Sequence, residues 1–258
     1  MHLIAIRLKL TNCFLVPHKT SYLLVDTGYE YEWHRFIQEL ASRRVRVQDI
    51  SHLILTHAHD DHAGLAARLI AENPAIVLVA SRLAAEGLAS GKHLNMPGAG
   101  YINRRVGFLL SLKGRFDKRW THTFPPCPFR GDDFPIDGDC VLSDIGIDLD
   151  GKIIATPGHT RDSISLVFGD GDAIVGDAAA NFLGWAGTKH CVISVNDLDA
   201  YYQSWRKLAA SAGCTIFPAH GKPFPVARLH EDIGKQRKEH MVPFPKCITP
   251  PPATLRHH

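Results

Sequence analysis

The sequence lacks the features that would tie it to a membrane span, an oxidising compartment or a polyanion. Across 258 residues with a mean hydropathy of -0.08, no window approaches the roughly 18 consecutive apolar residues a membrane-spanning helix needs. The opening residues Leu3-Ile4-Ala5-Ile6-Arg7 alternate as a strand does and lack the basic-then-apolar layout of a secretory leader. Cysteine is sparse: Cys13, Cys127, Cys140, Cys191, Cys214 and Cys247 stand far apart, with no C-x-x-C pair. A disulfide-stapled secreted domain is much denser in cysteine, so reduced thiols and a cytoplasmic location are expected. Charge of one sign is missing too. The 29 basic and 26 acidic residues leave +3, too little to make nucleic acid or a membrane surface the main partner. A small molecule is the expected partner.

What is present reads as one large α/β layer protein. Hydrophobic residues make up 45% of the chain and charged residues 21%, enough for a sizeable core. There is no internal repeat or low-complexity tract, and a single domain over 1–258 is expected. Residues 3–10 alternate, and the apolar run 21–25 ends at the turn signature Asp26-Thr27-Gly28. Trp33, Phe36, Ile37 and Leu40 recur at helical spacing. Residues 50–55 form a strand, then a polar loop, then a helix over 63–71 stopped by Pro74, then a strand at 76–79. Strands resume at 152–155, 163–168 and 173–175. A helix over 198–210 follows, with Asp197 as its N-cap, then a last strand at 214–217. The proline-rich stretch 243–252 reads as an extended surface segment, and His257-His258 reads equally as native sequence or tag remnant.

Histidine is the unusual count, at 16. After the 50–55 strand comes Thr56-His57-Ala58-His59-Asp60-Asp61-His62-Ala63-Gly64, the pattern H-x-H-x-D-H between a strand and a helix. Side chains repeat with period two along a strand end, so His57 and His59 project together. The turn that follows carries Asp61 and His62 round to a second point. One short loop can therefore supply ligands to two metal ions.

This motif resembles the one that defines the metallo-β-lactamase superfamily of hydrolases. The resemblance covers roughly residues 3–225 and implies an αββα four-layer sandwich of two mixed β-sheets, with a metal site at one edge. The family's later ligands match strand-end positions here: His159 in Thr156-Pro157-Gly158-His159-Thr160, Asp177 in Val175-Gly176-Asp177, and His220 in Phe217-Pro218-Ala219-His220-Gly221. By that resemblance His57, His59 and His159 hold one metal, Asp61, His62 and His220 a second, and Asp177 bridges them. Asp26 matches an early motif whose aspartate supports the ligands from behind, or it is simply a turn residue. Imidazole and carboxylate without thiolate suit two zinc ions, with iron or manganese as alternatives. Two such ions depress the pKa of a shared water from near 16 to about 7, and Asp61 is the expected catalytic residue that orients this nucleophile or passes its proton on.

Departures from family patterns narrow the activity. The commonest true zinc β-lactamases carry cysteine where this chain has Asp177, so antibiotic hydrolysis is not expected. Glyoxalase II enzymes keep the ligand set but need a helical substrate domain after the last histidine, and too little chain follows His220 for one. No room exists for the flavin domain of flavodiiron proteins, and transfer-RNA processing relatives need added arms. The expected activity is hydrolysis of an ester-like bond, a lactone or thioester. A phosphodiesterase on a small nucleotide and a metal-binding protein without turnover remain alternatives. A mononuclear iron dioxygenase of persulfides uses part of the set, and the complete set argues against it.

Residues 91–139 differ in composition, with Gly, Pro, Arg and aromatics and one helical stretch over 104–112. They are expected to form a lid over the metals. Gly98-Ala99-Gly100 would be its hinge, Phe108, Phe116, Trp120, Phe124 and Phe129 its apolar surface, and Arg104 or Arg105 its contact to an anionic substrate group. The opposing reading is a local mini-core with solvated arginines. Of the remaining histidines, His93, His122 and His190 lie in segments able to line the site. The helix bearing Tyr201, Tyr202, Trp205 and Leu208 is expected to be core rather than a substrate box.

Overall fold

Alternation along the strands sorts the apolar side chains onto two faces, and those faces generate the layers. The computed structural model describes residues 3–94, 98–116 and 122–244. Met1, His2, Trp120, Cys247, His257 and His258 lie outside the described residues, as do the Phe116 side chain and most of the proline-rich tail.

The first sheet has six strands in the order β1 (Ile4–Arg7), β2 (Asn12–His18), β3 (Ser21–Val25), β4 (Ile50–Ile54), β5 (Val77–Ser81) and β7 (Phe134–Ile136). β1 to β3 pair antiparallel, and β3 to β7 pair parallel. The second sheet also has six, in the order β14 (Phe224–Pro225), β13 (Thr215–Pro218), β11 (Ala173–Gly176), β10 (Ile164–Phe168), β9 (Gly151–Ala155) and β8 (Cys140–Val141), with β11 and β13 parallel. A small sheet of β12 (Ser194–Val195), β6 (Gly100–Tyr101) and β15 (Val242–Pro243) stands beside them.

Leu23, Val25, Ile54 and Val79 of the first sheet meet Ile153, Ile164, Leu166 and Ile174 of the second in one buried layer. Their neighbours Leu24, Leu53 and Leu78 face outward onto α1 (Trp33–Ser42), α3 (Ala66–Glu72) and α4 (Ala85–Ser90) through Phe36, Leu40, Leu69 and Leu88. Val167 and Val175 face the opposite way, onto α5 (Arg104–Phe116), α6 (Leu198–Ser211) and α7 (Ala227–Asp232). This is the expected αββα sandwich. Each fully buried Leu, Ile or Phe contributes roughly 1.5–3 kcal/mol, so the two strand faces supply the bulk of the hydrophobic stabilisation.

Local chemistry sets the boundaries. Asp197 caps α6 by accepting from the Asp199 and Ala200 amides at 2.9 and 3.2 Å, as expected. Tyr201 and Trp205 are fully buried core residues of that helix. The helix expected over 63–71 is instead two pieces, α2 (Asp60–Ala63) and α3. Gly64 separates them: a Cβ there would lie 2.6 Å from both Glu30 N and Gly28 O, so the chain is pressed against another loop at that point. Strand β2 was not anticipated. Among the described residues no helix is long and apolar enough to cross a membrane.

Candidate metal centre

Every residue of the histidine pattern, and each later candidate ligand, sits just past the C-terminal end of a strand. That is where side chains from neighbouring strands of an α/β sheet converge. His57 and His59 follow β4, His159 follows β9, Asp177 follows β11, and His220 follows β13. The two sheets approach closely here, because a Cβ on Gly176 (φ +50) would stand 2.3 Å from Thr56 Oγ1. Only glycine permits that contact and that backbone conformation together.

Partners behind the rings fix which nitrogen faces the centre. His62 Nδ1 donates to Asp26 Oδ2 at 2.8 Å, His159 Nδ1 to Ser194 O at 2.8 Å, and His220 Nδ1 to Leu10 O at 2.9 Å. His57 Nδ1 lies 3.2 Å from Thr56 Oγ1. In each case it is Nε2 that is turned inward. Asp26 does more than turn the chain. In a left-handed conformation (φ 60), its carboxylate also accepts from Thr56 N and Thr56 Oγ1 at 2.8 Å. Such strain in a non-glycine residue persists only where surrounding contacts hold it. Behind the loop, Asp162 Oδ2 accepts from Ala58 N at 2.8 Å, a partner the sequence did not single out.

The inward atoms fall into groups. The ligand atoms of His57, His59 and His159 lie within 4.8 Å of one another, as do those of Asp61, His62 and His220, and those of His57, His62 and Asp177. Asp177 faces both sides: Oδ2 is 3.4 Å from His159 Nε2, while Oδ1 is 3.3 Å from His220 Nε2 and 3.5 Å from His62 Nε2. Ligand atoms roughly 2.0–2.2 Å from a tetrahedral ion stand roughly 3.3–3.5 Å apart, so these spacings suit shared coordination. His57 Nε2, His62 Nε2 and Asp177 Oδ1 are buried without a hydrogen-bond partner, which a buried polar atom rarely tolerates. The residues present therefore fit divalent cation binding.

Electrostatics agree. Burial, reinforced by neighbouring histidines, holds His57 and His59 well below the ordinary imidazole value, and burial also lowers His159. Burial opposes charge on His62, but Asp26, Asp61 and Asp177 outweigh it and raise the ring well above normal. Burial likewise opposes charge on His220, and Asp177 and Asp61 carry it up to about 9. Asp61 is held well below the carboxylate range: burial raises it, and His62 and His220 more than offset this. The acidic side of the centre thus draws positive charge, while the His57, His59 and His159 side keeps neutral nitrogen lone pairs.

A cavity of about 470 Å³ opens over these residues, within the usual range for a small-molecule site. Its walls include Leu109 and Leu110 of α5, Phe182, Trp185, Ile193 and Phe244. Among the described residues lining it, none is Lys or Arg.

The segment 91–139, expected as a lid, reaches the cavity through His93, Tyr101, Leu109, Leu110 and His122. Arg104 and Arg105, however, are on the exposed face of α5 and do not line it, so the expected anion contact is corrected: helical phase turns Val106 and Leu110 inward and the arginines out. Phe124 and Phe129 pack beneath the first sheet, and Phe108 is 65% exposed. At Gly100 a Cβ would meet Val242 O at 2.5 Å within the small sheet. His190 pairs with Asp232 Oδ2 at 2.6 Å and stays outside the cavity.

Comparison with known proteins gives the same picture. Residues 6–220 match the metallo-beta-lactamase superfamily. The chain is 30% identical over 217 residues to the lactamase-like protein aptB of Emericella nidulans, covering 83% of this chain and 52% of that protein. It is 28% identical over 218 residues to the atrochrysone carboxyl ACP thioesterase AgnL7 of Paecilomyces divaricatus, covering 83% of this chain and 51% of that one. The chain thus spans about half the length of the curated relatives it matches. Among solved structures, the subclass B3 metallo-beta-lactamase BJP-1 of Bradyrhizobium japonicum superposes with a TM-score of 0.60 at 18% identity, covering 90% of this chain and 88% of that one. That likeness is one of fold.

Proposed function

The chain belongs to the metallo-β-lactamase superfamily, and from that premise we propose that it is a dinuclear metal-dependent hydrolase of small apolar acyl thioesters, with lactones as the related substrates. The observation that carries this is the convergence of the inward nitrogens on the two-sided Asp177, with His57 Nε2, His62 Nε2 and Asp177 Oδ1 buried without a hydrogen-bond partner. His57, His59 and His159 would hold one ion, Asp61, His62 and His220 the other, with Asp177 between them. Zinc suits the donor set best.

When bound, such an ion pair supplies a hydroxide nucleophile at neutral pH and polarises the scissile carbonyl. The chain's own groups do the rest. Asp61, kept ionised by His62 and His220 against the effect of burial, would orient the nucleophile. Asp26 and the Ser194 and Leu10 carbonyls hold the rings in one tautomer, so the ligand atoms need not reorganise during turnover. Phe182, Trp185 and Phe244 exclude water from the acyl group. A thiolate then leaves without needing a proton, its parent thiol having a pKa near 8.5.

An apolar lining without Lys or Arg among its described residues favours an acyl group over a nucleotide phosphate, which charge-assisted donors normally bind. Two similar proteins, AgnL7 and the Aspergillus aculeatus protein AacuM, are named as ACP thioesterases, which supports the thioester reading. The test is metal analysis on one preparation alongside a panel of acyl thioesters, lactones, phosphodiesters and the cephalosporin nitrocefin. Turnover of thioesters or lactones with two metals per chain is expected. Phosphodiester or nitrocefin hydrolysis without thioester or lactone turnover sinks the proposal.

A further inference from the structure

A second cluster of ligand-type side chains shares the cavity wall and is not used by the dinuclear centre. Helix α4 ends at Gly91 in a left-handed turn (φ 63). A Cβ there would meet Phe124 O at 2.1 Å, so glycine lets the chain fold back tightly against residues 122–124. The two stretches then run antiparallel: Phe124 N donates to Gly91 O at 2.9 Å, Lys92 bridges Thr123, and His93 N donates to His122 O at 3.3 Å. Residues opposite each other in an antiparallel ladder share a face. His93 and His122 accordingly stand together, ring centroids 4.9 Å apart.

Facing them is Asp60, the one residue of the Asp60-Asp61 pair that the dinuclear set does not need. The ligand atoms of Asp60, His93 and His122 lie within 4.8 Å of one another, and all three residues line the cavity. His93 Nε2 is 2.8 Å from the Asp60 amide nitrogen and 2.9 Å from Asp60 Oδ1. The Asp60 carboxylate is only 7% exposed, turned toward imidazole nitrogens rather than water.

We propose that Asp60, His93 and His122 form a third cation site, taking a divalent ion of the zinc class. Two imidazoles and a carboxylate are a donor set for that class, and three protein ligands leave a fourth tetrahedral position for water or substrate. The short ladder sets both histidine backbones beside Asp60, with the three ligand atoms within 4.8 Å of one another. Because these residues line the cavity, the open position is available to an anionic substituent of the substrate. The site thereby supplies positive charge to a wall whose described lining residues include no Lys or Arg. His93 also stacks on His59, centroids 3.9 Å apart and 17° between planes, so the site abuts the first ligand group.

The test is zinc-edge anomalous scattering from crystals of the zinc-loaded chain, with zinc per chain measured after removal of free metal. A peak bonded to Asp60, His93 and His122 is expected, separate from any at the seven-residue centre. His93→Gln and His122→Ala should each lose one zinc per chain, while Asp177→Ala loses zinc from the other centre and retains this peak. An absent peak, or unchanged zinc content in both histidine variants, overturns the third site. Failure of the dinuclear reading would show separately, as missing peaks beside His57 and His62. Circular dichroism of each variant establishes that it is folded, and the wild-type scattering result stands whatever the variants do.

Discussion

Residues 56–64 and residues 91–139 face the same cavity but are held there by different means. The first stretch is clamped: its amides and rings are tied by Asp26, Thr27 and Asp162, and it grows out of a central parallel strand. The second reaches the cavity through a two-stranded zipper at 91–93 and 122–124, through Tyr101 of the small sheet and through one face of α5. Chemistry that needs ligand atoms placed within a few tenths of an ångström belongs on the clamped stretch. The wall that selects a substrate tolerates looser support and more variable residues. On the proposed function, the difference would make catalysis and selectivity separable, and mutations can test that separation.

The largest effect is expected on the clamped side. Asp177→Ala removes the carboxylate that faces both ligand groups, so at least one metal and nearly all hydrolysis should be lost. The rate should fall by more than the roughly 10–100-fold that loss of an outer partner costs. Metal analysis and kcat on the folded variant check this. Asp26→Asn should follow, weakening metal affinity by roughly 10–100-fold with KM little changed, since Asp26 touches the ligand His62 rather than the cavity; a chelator competition measures it.

On the wall the expected signature reverses. Trp185→Ala, at a residue 73% exposed at the cavity rim, should raise KM for long acyl thioesters by roughly tenfold, about 1.4 kcal/mol. Metal content should be unchanged and acetyl thioesters little affected. A fall in metal content would break the proposed separation. A smaller effect is expected away from both regions, at the facing rings of His18 and His52, 6.0 Å apart. Burial lowers both below 6.5, so the unfolded chain binds protons first as pH falls. Their contribution is full above pH 6.5 and is lost as pH drops through the lowered native values. His52→Gln should therefore flatten the decline of Tm between pH 7 and 5. Least of all, Arg104→Ala and Arg105→Ala should change KM by no more than about twofold, as exposed surface positions do. A tenfold rise would bring α5's outer face into substrate binding.

Legibility in the sequence followed the range of the physics. The H-x-H-x-D-H loop was readable because strand period and turn act over a few residues, and the later candidate ligands through the family resemblance, each lying just after an apolar strand. The phase of α5 was readable too: Val106, Leu109 and Leu110 share one helical face and Arg105 and Phe108 another, but the weight of aromatics in the segment masked it. The break at Gly64 was not, because it depends on a loop around Gly28 and Glu30 packing against it. Likewise, His93 and His122 each looked like a lone histidine.

The sequence by itself determined the layered α/β class and the buried aromatic helix α6, since each rests on periodicity along a short stretch, and it offered the candidate ligand set through the resemblance its motif carries. Only the tertiary structure decided which ring nitrogens face inward, that the arginine pair points to solvent, and that Asp60 meets His93 and His122. Those outcomes depend on backbone pairing between distant segments, and no local pattern encodes a contact that forms only when two sheets close on each other.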